Sequence, residues 1–68
     1  MPNLLDVVFI DAATGNHLHT WEGHDGILND EEFLLEVVQD FLPGEHGVIK
    51  VEGIDPHGIL KHCDYINY

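Results

Sequence analysis

The sequence has almost no positive charge. Of its 68 residues only Lys50 and Lys61 are basic, and 13 acidic residues give a net charge of −11. A chain this negative is repelled by nucleic acid and by anionic membranes, so we expect it to bind neither directly. It would attract a basic surface instead. The acidic residues occur along the whole chain rather than in one block, so they do not form an appended acidic tail.

Cysteine and long apolar runs are scarce as well. Cys63 is the only cysteine, which excludes an internal disulfide bond and fits a reducing compartment. Residues 1–11 contain neither a basic cluster nor a long apolar segment, so we expect no signal peptide and no membrane span there. Together these absences predict a cytoplasmic protein.

Catalytic and metal-binding patterns are missing too. The sequence has no CxxC, HxxxH or HExxH spacing, and its glycines are isolated rather than gathered in a phosphate-binding loop. His17 and His19 lie two residues apart on a predicted strand, so they would share a face and form a weak alternative metal site. Cys63 and its neighbour His62 would point to opposite faces. A sheet with one helix offers little concavity for a substrate, so we predict no enzymatic activity, no cofactor and no metal.

Residues 29–42 carry the one convincing helical pattern. Apolar residues recur at 34, 37, 38 and 41, which is the spacing of one helical face. Asn29 is the predicted N-cap, and the Pro-Gly pair after residue 42 is the predicted stop. On the opposite face Glu32, Glu36 and Asp40 follow at four-residue spacing, so they form a row with about 6 Å between neighbours along the axis.

Four stretches rich in β-branched and aromatic residues flank the helix, over residues 4–10, 17–22, 48–54 and 59–68. The hydrophobic content of 44% is that of a folded chain. The order ββαββ predicts one α+β domain over residues 1–68, with a mainly antiparallel four-stranded sheet and the helix on one face. We favour the strand order 2-1-3-4. The second choice places strand four beside strand one and requires a parallel pair.

The alternation along each strand assigns side chains to the two faces of the sheet. We expect the helix to cover six apolar side chains: Leu5, Val7, Phe9, Leu18, Ile49 and Val51. The uncovered face would show Val8, Ile10, Trp21, Val48 and Tyr65. Exposed apolar side chains of this kind often form an interface.

Negative charge is densest around the predicted helix. A soluble domain usually mixes both signs, and like charges without partners one turn away cost stability. The charge could serve solubility alone, or it could bind a surface built to hold phosphates. The candidate partner-binding residues are the helical row, four acidic residues that lead into it, and one aromatic residue: Glu32, Glu36, Asp40, Glu22, Asp25, Asp30, Glu31 and Trp21.

In size, acidity and ββαββ order, the whole chain resembles the small inhibitors that phages and mobile elements make against host nucleases, including anti-CRISPR proteins that mimic DNA. The resemblance is one of profile and is carried by no motif. It implies a non-enzymatic protein that blocks the basic nucleic-acid-binding surface of a partner, such as a nuclease complex, in the cytoplasm of a bacterial host. The alternative is a small interaction module or homodimer that uses the open sheet face around Trp21 or pairs through an edge strand.

Overall fold

The computed structural model describes residues 4–68 as a four-stranded antiparallel sheet with one α-helix on one face. The strands are β1 (Leu4–Asp11), β2 (His17–His24), β3 (Val48–Ile54) and β4 (Leu60–Asn67). A 3-10 helix (Asp25–Asn29) and the helix α1 (Glu31–Phe41) connect β2 to β3. The order β2-β1-β3-β4 confirms the predicted α+β fold and strand order, and the parallel alternative is wrong. Within residues 4–68 no helix is long and apolar enough to cross a membrane.

Tight turns with a glycine in the left-handed conformation close both hairpins. In the first turn Gly15 has φ +78° and donates its N–H to the carbonyl of Asp11 at 2.8 Å. In the second, Gly58 has φ +81° and donates to the carbonyl of Asp55 at 2.9 Å. Glycine reaches this left-handed backbone without the steric penalty of a side chain. Both loops are therefore determined locally.

The N-cap of the helix α1 lies one residue later than the sequence pattern predicts. Asn29 belongs to the preceding 3-10 helix, so Asp30 is the N-cap and its Oδ1 accepts the backbone N–H of Phe33 at 3.1 Å. The 3-10 helix forms where Leu28 turns inward and becomes buried. The predicted cap at Asn29 is therefore wrong. The helix ends at Phe41, one residue before the predicted end.

The core lies between α1 and the sheet face that it covers. Nine hydrophobic side chains in the described chain are buried there: Leu5, Val7, Phe9, Leu28, Leu34, Val38, Ile49, Val51 and Ile66. Five of the six predicted helix-facing side chains are among them, and the sixth, Leu18, is half-buried against this cluster. Burying this apolar area drives the packing of helix on sheet.

A β-bulge in β2 changes which side chains face the helix. The register runs from Phe9 opposite His19 to Ile10 opposite His17, so one residue of β2, Leu18, has no partner in β1. The extra residue reverses the alternation, and both Leu18 and Trp21 contact the core although they are three residues apart. The prediction that Trp21 lies on the open face is therefore wrong.

The helix lies over the β2 side of the sheet. The rings of Trp21 and Phe33 are 5.4 Å apart, and the ring of Phe41 lies 5.1 Å from His19 and 5.5 Å from Phe9. Among the residues of β4, by contrast, only Ile66 is buried. The outer edge of the sheet at β4 is consequently left without a covering element among residues 4–68.

Candidate functional site

The acidic row on the helix stands as the sequence predicts. Glu32, Glu36 and Asp40 are all exposed, whereas Leu34 and Val38 on the other side of α1 are buried in the core. The amphipathic pattern thus forces the row outward, because burying the apolar stripe orients the whole helix. The three carboxylates lie one turn apart along a single surface line.

The four acidic residues that lead into the helix do not form one cluster. Asp25, Asp30 and Glu31 are exposed on the 3-10 helix and the first turn of α1, next to the row. Glu22 lies on the opposite face of the sheet, directly across from Asp6 on β1. The structure therefore joins three of the predicted residues to the helical row and separates Glu22 from it.

Charge is divided unevenly between two parts of the molecule. Residues 4–47, here called the acidic half, carry ten of the 13 acidic residues and no lysine. Residues 48–68, here called the neutral half, carry three acidic residues and both lysines. The lysines pair inside the neutral half, where Lys50 Nζ lies 3.5 Å from Glu52 Oε2 and Lys61 Nζ lies 3.8 Å from Asp55 Oδ2. Neither lysine forms an ion pair with the acidic half.

The histidine pair proposed as a weak metal site is separated by the β-bulge. His17 lies on the open face, where its Nε2 is hydrogen-bonded to Thr20 Oγ1. His19 lies on the helix face and stacks on Phe41. The expectation that both rings share a face is therefore wrong. Within residues 4–68 no three potential metal ligands come together.

Asp55 organises the turn between β3 and β4. Its Oδ1 accepts the backbone N–H groups of His57 and Ile59, each at 2.9 Å. The hydrogen bond from Ile59 is the main cause that lowers the pKa of Asp55 below its ordinary value of 3.8. The hydrogen bond from His57 and the positive charge of Lys61 act in the same direction, while partial burial opposes them. Asp55 is thus held ionised for a structural purpose.

An open cavity of about 930 Å³ lies at the end of the sheet where the second hairpin turns. It corrects the expectation that a sheet with one helix leaves little concavity. The Nε2 atom of His62 is buried and has no hydrogen-bond partner in the described chain. Apolar and titratable side chains line the cavity together: Leu5, Leu28, Asp25, Asp55, His57, Lys61 and His62.

Four of the five large apolar side chains that are exposed in the described chain lie in the neutral half, and the fifth is Leu4 at the start of β1. Val48 is 41% exposed, Leu60 51% and Tyr65 60%. Ile59, in the loop before β4, is exposed as well. The sequence pattern anticipated Val48 and Tyr65 but missed Ile59 and Leu60. The signal that could have found them is charge, since residues 59–68 carry only one acidic residue beside Lys61.

No protein-family model, curated protein or solved structure matches the chain.

Proposed function

We propose that this protein is a non-enzymatic inhibitor that binds a basic, nucleic-acid-binding surface of a partner protein and blocks it by mimicking the charge of DNA. The observation that carries this proposal is the exposed row of Glu32, Glu36 and Asp40, which lies in a half of the molecule that has no lysine. The partner would be a nuclease or another nucleic-acid-binding protein in a bacterial cytoplasm, and anti-CRISPR or related anti-defence activity would fit this chemistry.

The spacing of the row supports mimicry of a phosphate backbone. Three carboxylates at four-residue spacing span about 12 Å along the helix axis. One strand of duplex DNA presents three to four phosphates over about the same distance. Asp25, Asp30 and Glu31 extend the charge beyond the start of the helix, so its linear density approaches that of a nucleic-acid strand.

The cost of the row argues against solubility as its only role. Each like-charge pair at four-residue spacing destabilises a helix by roughly 0.2–0.5 kcal/mol, and a lysine at Glu36 would turn two such penalties into favourable pairs. A soluble domain reaches an adequate net charge with both signs interspersed. The acidic half instead keeps all its charges of one sign, which strengthens the field that a basic partner meets.

Binding of this kind has a characteristic dependence on salt. Opposite surface potentials accelerate the diffusional encounter, and salt screens them within about 8 Å at physiological ionic strength. Association with the partner should therefore be fast at low salt and should slow sharply as salt is added. Free DNA should compete, because it occupies the same basic surface.

The test is capture of partners from bacterial lysate on the immobilised protein at low and high salt, with identification by mass spectrometry. The decisive variant is Glu32→Lys/Glu36→Lys/Asp40→Lys. Its matched control, Asp6→Lys/Glu22→Lys/Glu45→Lys, changes net charge equally at exposed positions away from the row. Recovery of a nucleic-acid-binding protein that DNA displaces, lost in the first variant and kept in the control, supports the proposal. If both variants captured the partner equally well or equally poorly, the row would have no specific role in binding and would serve solubility only.

The alternative of an interaction module on the open sheet face loses its central residue, because Trp21 packs against Phe33 on the helix face. Four of the five large apolar side chains that are exposed in the described chain belong instead to β3, to β4 and to the loop between them. Their position bears on self-association through the edge of the sheet.

A further inference from the structure

We propose that two copies of this protein pair through their β4 strands, in antiparallel orientation, to form one continuous eight-stranded sheet. This inference goes beyond the proposed inhibitor function and does not depend on it. An edge strand presents a row of backbone donors and acceptors that another strand can use. β4 is such an edge, and it stays uncovered because α1 packs over the β2 side of the sheet.

The hydrogen-bond pattern shows which groups β4 offers. Gly47 and Tyr68 exchange both backbone hydrogen bonds, at 3.0 and 2.9 Å. Because such pairs alternate along an antiparallel ladder, residues 62, 64 and 66 bond to β3, and residues 63, 65 and 67 direct their N–H and C=O groups outward. Consistent with this, the N–H of Tyr65 donates to its own neighbour, Asp64 Oδ1, at 2.8 Å. A second strand would replace that local acceptor with a carbonyl.

Charge selects this edge over the other one. β4 carries one acidic residue, Asp64, and one lysine, whereas β2 has no lysine and carries Glu22 directly opposite Asp6 of β1. Two chains of charge −11 repel one another least when their acidic halves are far apart. Pairing at β4 achieves this, because it places β2 at the two outer ends of the joint sheet. The exposed side chains of Leu60 and Tyr65 would meet the second copy there.

The alternation of faces and the charges together select a register. Directly opposed residues share a face, so the two-fold axis must lie midway between the two copies of one β4 residue, which then face each other. Every such axis opposes two copies of one residue, which would be two like-charged carboxylates at Asp64 and two imidazole rings at His62. An axis at Cys63 places His62 of each copy opposite Asp64 of the other, which is the favourable arrangement. It also places the two Cys63 residues in one hydrogen-bonded pair.

This symmetry fixes the arrangement of the acidic rows. A two-fold axis perpendicular to the sheet keeps both α1 helices on the same face. The centres of the two four-stranded sheets lie about 19 Å apart at a strand spacing of about 4.8 Å. The dimer would therefore display two copies of Glu32, Glu36 and Asp40 on one side.

The first test is the mass of the reduced protein by sedimentation equilibrium over a wide concentration range. The expected result is a reversible shift from 7.7 kDa towards twice that mass. Tyr65→Pro should abolish the shift, because proline removes an outward N–H without touching the β3–β4 ladder. The matched control is Thr20→Pro. The N–H of Asp11 bonds towards β2, so the odd-numbered residues of β1 bond to the odd-numbered residues of β2 that they oppose. The N–H of Thr20 therefore points outward, and this variant removes an outward N–H at the β2 edge.

Two further variants keep the test decisive if either proline variant fails to fold, as judged by circular dichroism. Cys63→Asp would oppose two carboxylates at the axis and should abolish the dimer, whereas Cys63→Ser should retain it. A single species of 7.7 kDa at every concentration overturns the proposal. So does a dimer that persists in both Tyr65→Pro and Cys63→Asp.

The second test addresses the register through the thiol. A hydrogen-bonded antiparallel pair has a Cα–Cα distance of about 5.5 Å, which lies within the range of disulfide bonds. Oxidised glutathione should therefore link two chains through Cys63 much faster than it links a Thr20→Cys/Cys63→Ser variant. Equal rates in the two proteins would exclude an axis at Cys63.

Salt separates this proposal from the inhibitor function. Self-association joins two negative molecules, so added sodium chloride should strengthen the dimer. Binding to a basic partner should weaken under the same change. A dimer that salt dissociates would contradict pairing at the neutral edge, whatever the outcome of the capture experiment.

Discussion

At the scale of single residues, Asp55 links a turn to the pH dependence of the fold. Its carboxylate accepts two backbone N–H groups, and the bond from Ile59 is the main reason that its pKa lies below 3.8. A carboxyl group with a lowered folded-state pKa contributes stability above its unfolded-state pKa. That contribution is lost as the pH falls through the lower, folded-state value.

We predict that Asp55→Asn flattens this part of the acid denaturation profile. Asparagine keeps an acceptor oxygen for His57 and Ile59 but cannot ionise. The free energy of unfolding, measured by urea denaturation, should be higher for the wild type than for the variant at neutral pH. This difference should shrink below pH 3.8. Lys61→Gln should keep most of the pH dependence, because the ion pair is a smaller cause than the hydrogen bond from Ile59. A larger effect from Lys61→Gln would contradict this order.

One residue, Leu18, explains why the face of Trp21 could not be read from the sequence. Strict alternation places Leu18 and Trp21 on opposite faces, and an apolar residue such as Leu18 is expected to face the core. The bulge lets both side chains reach the core and places His17 on the other face. A bulge depends on how two strands pair with each other, so the local sequence of β2 alone does not predict this one.

At the scale of elements, the start of α1 offers a direct test of the boundary. We predict that Asp30→Ala lowers the free energy of unfolding by about 1 kcal/mol, because it removes the oxygen that accepts the N–H of Phe33. In a domain of this size that corresponds to a fall in Tm of about 4–8 °C.

The matched control for the helix start is Asn29→Ala at the neighbouring position. Because Asn29 lies in the 3-10 helix and is exposed, its truncation should change the Tm much less. Thermal unfolding followed by circular dichroism measures both variants. If Asn29→Ala had the larger effect, the helix would begin where the sequence pattern alone places it.

The pairing of β1 with β2 contains a repulsion that a single substitution should relieve. Asp6 and Glu22 are directly opposed and both exposed. We predict that Glu22→Lys raises the free energy of unfolding by roughly 0.2–1 kcal/mol, since like charges in such a pair destabilise and opposite charges stabilise. Glu45→Lys makes the same change of charge in an exposed loop and should give a smaller gain. A larger gain from Glu45→Lys would show that net charge, rather than the pair, is responsible.

The elements themselves could be predicted because their signals are local. The apolar spacing of α1 and the β-branched runs on either side of it predict ββαββ, and an antiparallel sheet then favours the observed order. The helix boundary shifted because burial of Leu28 stabilises a 3-10 helix that competes for Asn29. Local signals of this kind place an element more reliably than its ends.

At the scale of the whole molecule, the position of the two lysines determines the distribution of charge over the surface more than the number of acidic residues does. The acids do occur along the whole chain, but both lysines lie in the neutral half. The sheet order then places β1 and β2 side by side and brings β3 next to β4. The difference in charge between the two parts of the sequence thereby becomes a difference between two separate regions of the surface. The sequence supplied the charges, and the fold supplied their separation.

This separation predicts that the folded state is limited by its own repulsion. Ten negative charges in the acidic half have no lysine partner there, and folding brings them closer together than in the extended chain. Raising sodium chloride from about 20 mM to about 500 mM shortens the screening length from roughly 20 Å to roughly 4 Å, so it should raise the Tm. Relief of about 1 kcal/mol would raise it by about 4–8 °C.

The variant Glu32→Gln/Glu36→Gln/Asp40→Asn tests where that repulsion resides. It removes three charges from the row while keeping side-chain size, so its Tm should be higher at low salt and should respond less to sodium chloride. The measurement is the difference in Tm between low and high salt for wild type and variant. Chloride is the suitable anion, because sulfate strengthens apolar burial on its own. If the salt response were unchanged, the three row residues would not be the source of the repulsion that lowers the Tm. The acidic residues of β1 and β2 would then be its main source.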